Sequence, residues 1–334
     1  MMRTERIRMR HLHPFARVFA VVVAAMSVTT HAAEPAYPTR PVHIIVPFPP
    51  GGPADALPRI VGDKLGQTLG VPFVVDNKPG AGGNIGMEQG AKALPDGYTL
   101  TLAPAGNLTI APSLYSKLPY DPVKDYAPIT VLATTPNILI ASNDVAAKTP
   151  QELIALAKAK PGTLNFASPG NGSGPHLAGE LLKSMAGIDI VHVPFNGVAP
   201  AMNALLSGSV QLFFAQSSAA LPHIRSGKVH ALGVAGRNRI AAAPELPTIA
   251  ESGLPGFDVT SWYALVAPAG TPASIIQKLN AEIVRALNQP DVREKLATLG
   301  AEPMGNSPTE FASMQKAEAA RWAKLAKEAN LKAD

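Results

Sequence analysis

The feature that most constrains the fold is a repeated order of elements: an apolar segment, a glycine-rich loop and then a helical stretch. The first unit has the segment Val42–Val46, the loop Pro47–Pro53 and a helical stretch from Ala54 to Leu69. Val42–Val46 is almost continuously apolar, which is typical of a strand buried on both faces of a parallel sheet. The order predicts βα units, and therefore an α/β protein with a parallel sheet.

The same order recurs further along the chain. The strand Phe73–Asp76 is followed by the loop Asn77–Gly86 and a helix to about Leu94, and Leu164–Ala167 is followed by the loop Ser168–Gly174 and a helix from about His176. Further strands are predicted at 98–103, 137–142, 191–194, 210–214 and 231–235.

Helix starts are marked most clearly by two capping boxes, Thr149–Glu152 and Ser307–Glu310. Between them, helices are predicted to open at Thr271-Pro272 and at Asp291, so that the C-terminal part is mostly helical. The apolar stripe on the last helix is predicted to belong to the core rather than to a cofactor site; it consists of Phe311, Met314, Trp322 and Leu325.

Residues 1–32 have the pattern of a signal peptide. Five arginines precede or begin the apolar run Val18–Met26, and Thr30-His31-Ala32 places small residues at the −3 and −1 positions of a cleavage site. The apolar run is shorter than the ~20 residues that a membrane-spanning helix needs. We therefore expect cleavage after Ala32 and an exported protein.

The net charge of the chain falls close to zero once residues 1–32 are left out. The full chain has 29 Lys+Arg and 24 Asp+Glu, a formal charge of +5. Without the five Arg and one Glu of residues 1–32, 24 basic and 23 acidic residues remain, which gives no support for a nucleic-acid partner. The chain has no Cys, which excludes disulfides, thiol nucleophiles and thiolate metal sites.

Common catalytic and nucleotide-binding motifs are absent. The sequence has no G-x-S-x-G, no G-x-x-x-x-G-K-[ST] and no H-E-x-x-H, and Ile85 stands where G-x-G-x-x-G would need its third glycine after Gly80 and Gly82. We expect no cofactor and no metal. Ser173 and His176 are the one candidate nucleophile–base pair, so a secreted α/β hydrolase stays as an alternative.

Three glycine-rich loops carry the candidate binding chemistry. They are Pro47–Asp55, Gly80–Gly86 and Ser168–His176, each at a strand-to-helix junction. Such loops gather at the carboxyl ends of the strands, where ligands of open α/β sheets bind, and the amides of helix N-termini favour an anion. The loops contain no Arg, and Lys78 is the nearest Lys, so we expect neutral donors to hold the ligand.

The chain resembles the tripartite tricarboxylate transporter receptor family, the Bug or TctC-like extracytoplasmic solute receptors. The resemblance covers roughly residues 37–330. It is carried by Tyr37–Gly52 with Asp55, Asn77–Gly86, Pro95–Leu100, Leu118–Pro122, Glu152–Ala155, His176-Leu177, His192–Pro194, Leu246–Thr248 and Ala267–Pro272.

The resemblance implies a type II periplasmic-binding-protein fold, in which two α/β lobes close on the ligand like a Venus flytrap. Two hinge crossings are expected, near Thr135-Pro136 and Trp262-Tyr263. Lobe 1 would then comprise residues 33–136 plus 262–334, and lobe 2 residues 137–261.

The implied function is that of a periplasmic solute-binding receptor with no enzymatic activity. It would capture a small organic carboxylate and deliver it to a membrane permease with a large, TctA-like and a small, TctB-like subunit. We expect a monomer. A sensor subunit that presents the ligand to a membrane kinase stays as a second alternative.

The resemblance also implies which residues face the ligand. The turn Pro47–Gly52 and the Gly82-Gly83 loop would hold one carboxylate, partly through ordered waters, with Ser168, Ser173 and His176 opposite. The full set of candidate ligand-binding residues is Phe48, Pro49, Pro50, Gly51, Gly52, Asp55, Gly82, Gly83, Asn84, Ala105, Asn107, Ser168, Asn171, Ser173, His176, Phe195, Asn196, Ala215 and Gln216.

Two departures from the family pattern bear on the ligand. Phe195-Asn196-Gly197 stands where many relatives have Tyr-Lys-Gly, and Phe214-Ala215-Gln216 stands where many have Phe-Asp. The missing Asp disfavours an amino acid, whose ammonium group needs a carboxylate. We expect a neutral-tailed or aromatic carboxylate, or a dicarboxylate.

Several of the residues discussed here also have a purely structural interpretation. Asp55 and His176 are suited to the first turns of their helices, and His192 to a buried position in a strand. Trp262 and Tyr263 fit hinge packing as well as they fit a cleft wall.

Overall fold

The computed structural model describes residues 37–328, so the predicted signal peptide lies outside the described residues. The strands are β1 (Val42–Val46), β2 (Phe73–Asn77), β3 (Thr99–Pro104), β4 (Tyr126–Ser142), β5 (Asn165–Ser168), β6 (Val191–Pro194), β7 (Leu212–Gln216), β8 (Val229–Val234), β9 (Thr260–Pro268) and β10 (Glu302–Pro303). The helices are α1 (Pro53–Leu69), α2 (Asn84–Ala91), α3 (Ala111–Leu114), α4 (Pro150–Ala159), α5 (Gly174–Ala186), α6 (Val198–Leu206), α7 (Ser217–Arg225), α8 (Ala273–Leu287), α9 (Pro290–Thr298) and α10 (Pro308–Glu328). A 3₁₀ turn (Ala81–Gly83) and a π-helical turn (Gly106–Ile110) complete the set.

The strands form one sheet in the order β2-β1-β3-β9-β4-β7-β5-β6, with β8 and β10 paired to β4. In the first half of the sheet, β1 pairs parallel with β2 and β3. In the second half, β5 pairs parallel with β6 and β7. Each half is therefore a parallel α/β unit of the kind that the loops and helices predict.

The long strand β4 joins the two halves. Its first part, to Pro136, pairs antiparallel with β9, and from Asn137 it pairs antiparallel with β7 and β8. Proline lacks the N–H that a ladder needs and is confined to irregular places in a sheet. Pro128 lies next to a register shift, and Pro136 lies where the partners change.

The core follows this division. One apolar cluster around Val131, Ala264 and Phe311 packs on the first half, and clusters around Phe166 and Phe213 pack on the two faces of the second half. Helix α10 contributes to both halves, because Phe311 packs in the first cluster and Trp322 in the cluster of Phe166.

The predicted α/β class is confirmed, and so are both capping boxes: Thr149 Oγ1 accepts from Glu152 N at 3.2 Å, and Ser307 Oγ accepts from Glu310 N at 3.2 Å. The predicted parallel pairing is present among β1, β2 and β3 and among β5, β6 and β7, whereas β4, β8 and β9 run antiparallel to their neighbours. Helix α2 ends at Ala91 and not at Leu94. Within residues 37–328, no helix combines the length and the apolarity that a membrane span requires.

Candidate functional site

A cleft lies between the carboxyl ends of the strands of the two halves. Its main cavity spans about 800 Å³, counted together with the part that is open to solvent. Loops after β1 and β3 line it on one side, and the loops after β5 and β6, with Gln216 at the end of β7, line it on the other. A side cavity of about 600 Å³, counted in the same way, shares the wall formed by Phe48, Pro49 and Asn196 and extends to the 3₁₀ turn.

Most of the candidate residues predicted from the sequence meet at this cleft. The main cavity is lined by Phe48, Pro49, Pro50, Gly52, Ala105, Asn107, Ser173, Asn196 and Gln216. The side cavity adds Gly82, Gly83 and Phe195. Gly51, Asp55, Asn84, Ser168, Asn171, His176 and Ala215 do not line either cavity.

Helix N-termini supply the donors of the main cavity. Helices α1, α5 and α6 begin at its wall, and Gln216, the N-cap residue of α7, lines it as well. The first amide groups of a helix have no intrahelical acceptor, and the helix dipole places partial positive charge there. Four helices therefore direct donors and positive potential into one cavity.

Prolines reduce the number of backbone N–H donors at the cavity and make its walls rigid. Seven prolines line the main cavity: Pro49, Pro50, Pro53, Pro104, Pro169, Pro175 and Pro200. Three of them lie in the first turns of α1, α5 and α6, where each removes one N–H. The N–H groups of Ala54 and Gly174 are left as ready donors at the starts of α1 and α5, and that of Ala199 at the start of α6.

Among residues 37–328, those that line the main cavity carry no charged side chain. The carboxylate of Asp55 is turned behind the wall, where it accepts from Arg59 Nε at 3.0 Å, Asn77 Nδ2 at 3.0 Å and Gly51 N at 3.3 Å. Burial by itself would raise the pKa of Asp55, but these hydrogen bonds lower it overall. Asp55 therefore holds the Gly51 turn in place from the first turn of α1.

Asn107 connects three loops on the first side of the cleft. Its Nδ2 donates to Gly82 O at 3.1 Å and to Asn84 Oδ1 at 3.0 Å. The hydroxyl of Tyr120 lies within hydrogen-bond distance of two acceptors, Asn84 Oδ1 at 3.0 Å and Asn107 O at 2.9 Å, and its single hydrogen donates to one of them at a time. Asn84 thus supports the cleft wall from behind, and Asn107 reaches the cavity itself.

Ser168 and two histidines support the loop after β5 rather than contact the cavity. Ser168 Oγ and His192 Nε2 are hydrogen-bonded at 2.7 Å, and the rings of His192 and His176 stack with centroids 4.0 Å apart. Burial lowers the pKa of His176 to about 4, with Lys183 adding to the effect. Burial, together with His176 and Lys183, lowers the pKa of His192 to about 3. Both rings are therefore neutral at pH 7.

Ser173 and His176 do not form a nucleophile–base pair. Ser173 Oγ accepts from the backbone N of His176 at 3.4 Å and donates to Gly170 O at 2.7 Å, as a helix N-cap does. The ring of His176 accepts from Gly172 N at its Nδ1 at 3.1 Å. The hydroxyl hydrogen of Ser173 is thus directed to Gly170 O and not to the His176 ring, and both side chains shape the loop.

Several residues of the cavity were not among the sequence-based candidates. They include Val198 and Ala199 at the start of α6, Ser261, and the pair Trp262 and Tyr263, for which a cleft wall and hinge packing were both open. Trp262 lies in the cavity wall and also packs on Phe311, so both interpretations apply to it. Recognition of a helix after the Gly197 turn would have identified Val198 and Ala199.

The two sides of the cleft are in close contact. The hydroxyl of Tyr115 donates to Asn171 O at 3.2 Å. A Cβ added to Gly82 or Gly106 would come within 3.0 Å of the backbone oxygen of Asn171 or Gly172, respectively. The absence of a side chain at these glycines therefore allows the loop after β5 to close on the first half of the sheet.

Comparison with known proteins gives the family. The sequence model of the tripartite tricarboxylate transporter family receptor (TctC) matches residues 57–331. The chain is 40% identical over 321 residues to a UPF0065 protein in the tcbD-tcbE intergenic region of Pseudomonas sp. (strain P51), an alignment that covers 95% of each chain.

Solved structures agree with this assignment. The chain is similar to R. palustris Rpa4515 with adipate, with a TM-score of 0.85, 36% identity and coverage of 89% of this chain and 99% of that one. It is also similar to MatC (Rpa3494) from Rhodopseudomonas palustris with bound malate, with a TM-score of 0.82, 38% identity and coverage of 86% and 99%. The predicted resemblance and the predicted two-lobed fold are confirmed, and the chain belongs to the tripartite tricarboxylate transporter receptor family of solute-binding proteins.

Proposed function

We propose that this protein binds a small organic carboxylate in the main cavity and acts as a receptor rather than an enzyme. The observation that carries the proposal is a cavity with no charged side chain at which four helix N-termini meet. An anion is stabilised there by backbone amides and helix dipoles, without a lysine or arginine among the lining residues. Family membership and the adipate and malate of the two similar structures support the same ligand class.

The mechanism is closure of two lobes around the ligand. We place the lobe boundaries at residues 33–136 plus 262–334 and at 137–261, with the crossings in β4 and at the start of β9. A ligand that contacts both sides stabilises the closed form over the open one. The change of partners of β4 at Pro136-Asn137 supports the first crossing.

The closed, ligand-bound form is the species that a membrane partner would recognise. We propose export to the periplasm by the signal peptide 1–32, and delivery of the ligand to a permease with TctA-like and TctB-like subunits. A strain that lacks the gene would then lose uptake of the ligand. Loss of ligand-induced gene expression with normal uptake would instead favour the sensor alternative.

A thermal-shift screen of residues 33–334 against several dozen organic acids tests the ligand class. A ligand present at about 100 times its dissociation constant adds about 2.7 kcal/mol to the free energy of unfolding. We expect stabilisation by carboxylates and none by the matching amides or alcohols that lack a carboxylate. Stabilisation by neutral or cationic solutes alone would contradict the proposal.

A further inference from the structure

Unpaired polar atoms lie on the neighbouring strands β4 and β7, and β7 ends at the main cavity. Thr135 Oγ1, Asn137 Oδ1 and Gln216 Oε1 are buried and have no hydrogen-bond partner among residues 37–328. Asn137 lies opposite Gln216 in the β4–β7 ladder, and Thr135 lies opposite Ser261 in the β4–β9 ladder. A buried polar atom without a partner is destabilising, so a cluster of them indicates a site that is completed by another molecule.

Gln216 is the member of this group that reaches the main cavity, where Tyr263 lies beside it. Both line the main cavity, and their exposed fractions are only 2% and 5%. Gln216 Nε2 donates to the Tyr263 hydroxyl oxygen at 3.3 Å. This bond uses a lone pair of the hydroxyl and leaves its hydrogen available. The pair therefore offers an adjacent acceptor, Gln216 Oε1, and donor, the Tyr263 hydroxyl.

The Tyr263 hydroxyl is uncharged and keeps its proton. Burial raises the pKa of Tyr263 well above its ordinary value of 10.0, so the hydroxyl is protonated throughout the physiological range. The residues lining the cavity include no Lys, Arg or His to balance a second negative charge at this point. The environment of the pair thus disfavours an ionised group.

We propose that Gln216 and Tyr263 bind a neutral hydroxyl or carboxamide on the ligand, and so select carboxylates that carry such a group over dicarboxylates and over plain monocarboxylates. The inference rests on the proposed function, in which the amides of the helix N-termini hold the first carboxylate. A hydroxyl donates to Gln216 Oε1 and accepts from Tyr263, so it satisfies both. A carboxylate only accepts, and therefore leaves Gln216 Oε1 unpaired and places two acceptors against each other.

The test is calorimetric titration of residues 33–334 with matched ligand series. The probes are the linear acids of four to seven carbons with a terminal methyl, hydroxyl, carboxamide or carboxylate, together with benzoate, 4-hydroxybenzoate, 4-carbamoylbenzoate and terephthalate. Within the series that binds most tightly, we expect the hydroxyl or carboxamide member to bind about tenfold or more tightly than the other two members.

Two variants assign the preference to this pair. In Gln216→Met and in Tyr263→Phe, we expect the preference to fall to within about threefold. Tyr126→Phe is the matched control, because Tyr126 is a buried tyrosine whose hydroxyl donates to Met87 O outside the cleft; it should keep the full preference. Tyr263→Phe is nearly isosteric, so it provides the test if Gln216→Met does not fold.

The outcomes separate this inference from the proposed function. Tight binding of the dicarboxylate or of the plain acid, or a preference that survives in both variants, overturns the role of the pair and leaves the carboxylate receptor intact. If no member of the panel binds, the proposed function fails and the inference fails with it.

Discussion

Gly106 gives the most direct test of cleft closure. It lies at the start of the π-helical turn and its φ is not positive, so alanine is compatible with its backbone conformation. An added Cβ would come within 3.0 Å of the carbonyl oxygen of Gly172, and its other near neighbour is Ser173. Both neighbours belong to the opposite side of the cleft. Gly106→Ala is therefore expected to disfavour the closed form and to leave the open form unchanged.

The size of the effect follows from the cost of overpacking. Forcing one extra methyl group into a well-packed contact costs about 1–3 kcal/mol, and this cost falls on the closed state alone. Because the ligand binds the closed state, the dissociation constant should rise about 5- to 150-fold. The free energy of unfolding without ligand should change much less, since the open form relieves the contact.

Calorimetric titration and small-angle X-ray scattering of the same samples check this prediction. The ligand should reduce the radius of gyration of the wild type and reduce that of Gly106→Ala only at higher concentration. Gly66→Ala is the matched control, because Gly66 lies in α1 away from the cleft and its added Cβ meets an ordinary contact, at 3.4 Å from Val71 O. An unchanged affinity for Gly106→Ala would refute the reasoning. So would weaker binding with closure unaffected, because the methyl group would then act on the ligand directly.

Three further predictions concern stability and the reporting of binding. The free energy of unfolding should decrease as the pH falls below about 6.5, since His176 and His192 have folded-state pKa values of about 4 and about 3, below the 6.5 of an ordinary His; the unfolded chain then binds protons that the folded chain does not, up to about 1.4 kcal/mol per pH unit for each ring. Urea denaturation at several pH values measures this. The prediction is contradicted if the free energy of unfolding depends on pH no more steeply in the wild type than in the His192→Asn variant. Ligand should change the fluorescence of Trp262, which lines the cavity, and not that of Trp322, which packs in the core. Trp262→Phe should abolish the ligand-induced change, and loss of that change in Trp322→Phe instead would contradict the assignment. Thr149→Ala should cost about 1 kcal/mol of stability by removing the N-cap of α4, and an unchanged midpoint of urea denaturation would argue against that role.

Local signals explain why the strand-to-helix loops of the cleft could be predicted. The apolar strand β1 and the glycines after it, like the N-cap Ser173, act over a few residues and depend little on the rest of the chain. The first part of β4 and the whole of β9 were not predicted. Pro128 and Pro136 argue against a strand, and both are accommodated because a register shift and a change of partner occur there.

Roles that depend on distant residues could not be predicted from the sequence. Ser168 was expected at the ligand, but its hydroxyl is bonded to His192, 24 positions away. Asp55 was a candidate with two open interpretations, and Arg59 and Asn77 settle its orientation. Hydrogen-bonding side chains beside a glycine-rich loop can face the ligand or support the loop, and only the tertiary partners distinguish the two.

The division between these two sets of residues explains how a cavity without charged side chains can suit an anion. Two sets of titratable groups beside the cleft are neutralised behind its walls: Asp55 by Arg59, and the two stacked histidines by loss of their protons. The polar groups that reach the cavity are backbone amides, hydroxyls and side-chain amides, and the Asp55 and histidine contacts behind the walls hold their loops in place. Such donors hold an anion only when both sides of the cleft supply them, so the tightest binding requires closure, and the glycines that allow closure matter as much as the donors themselves.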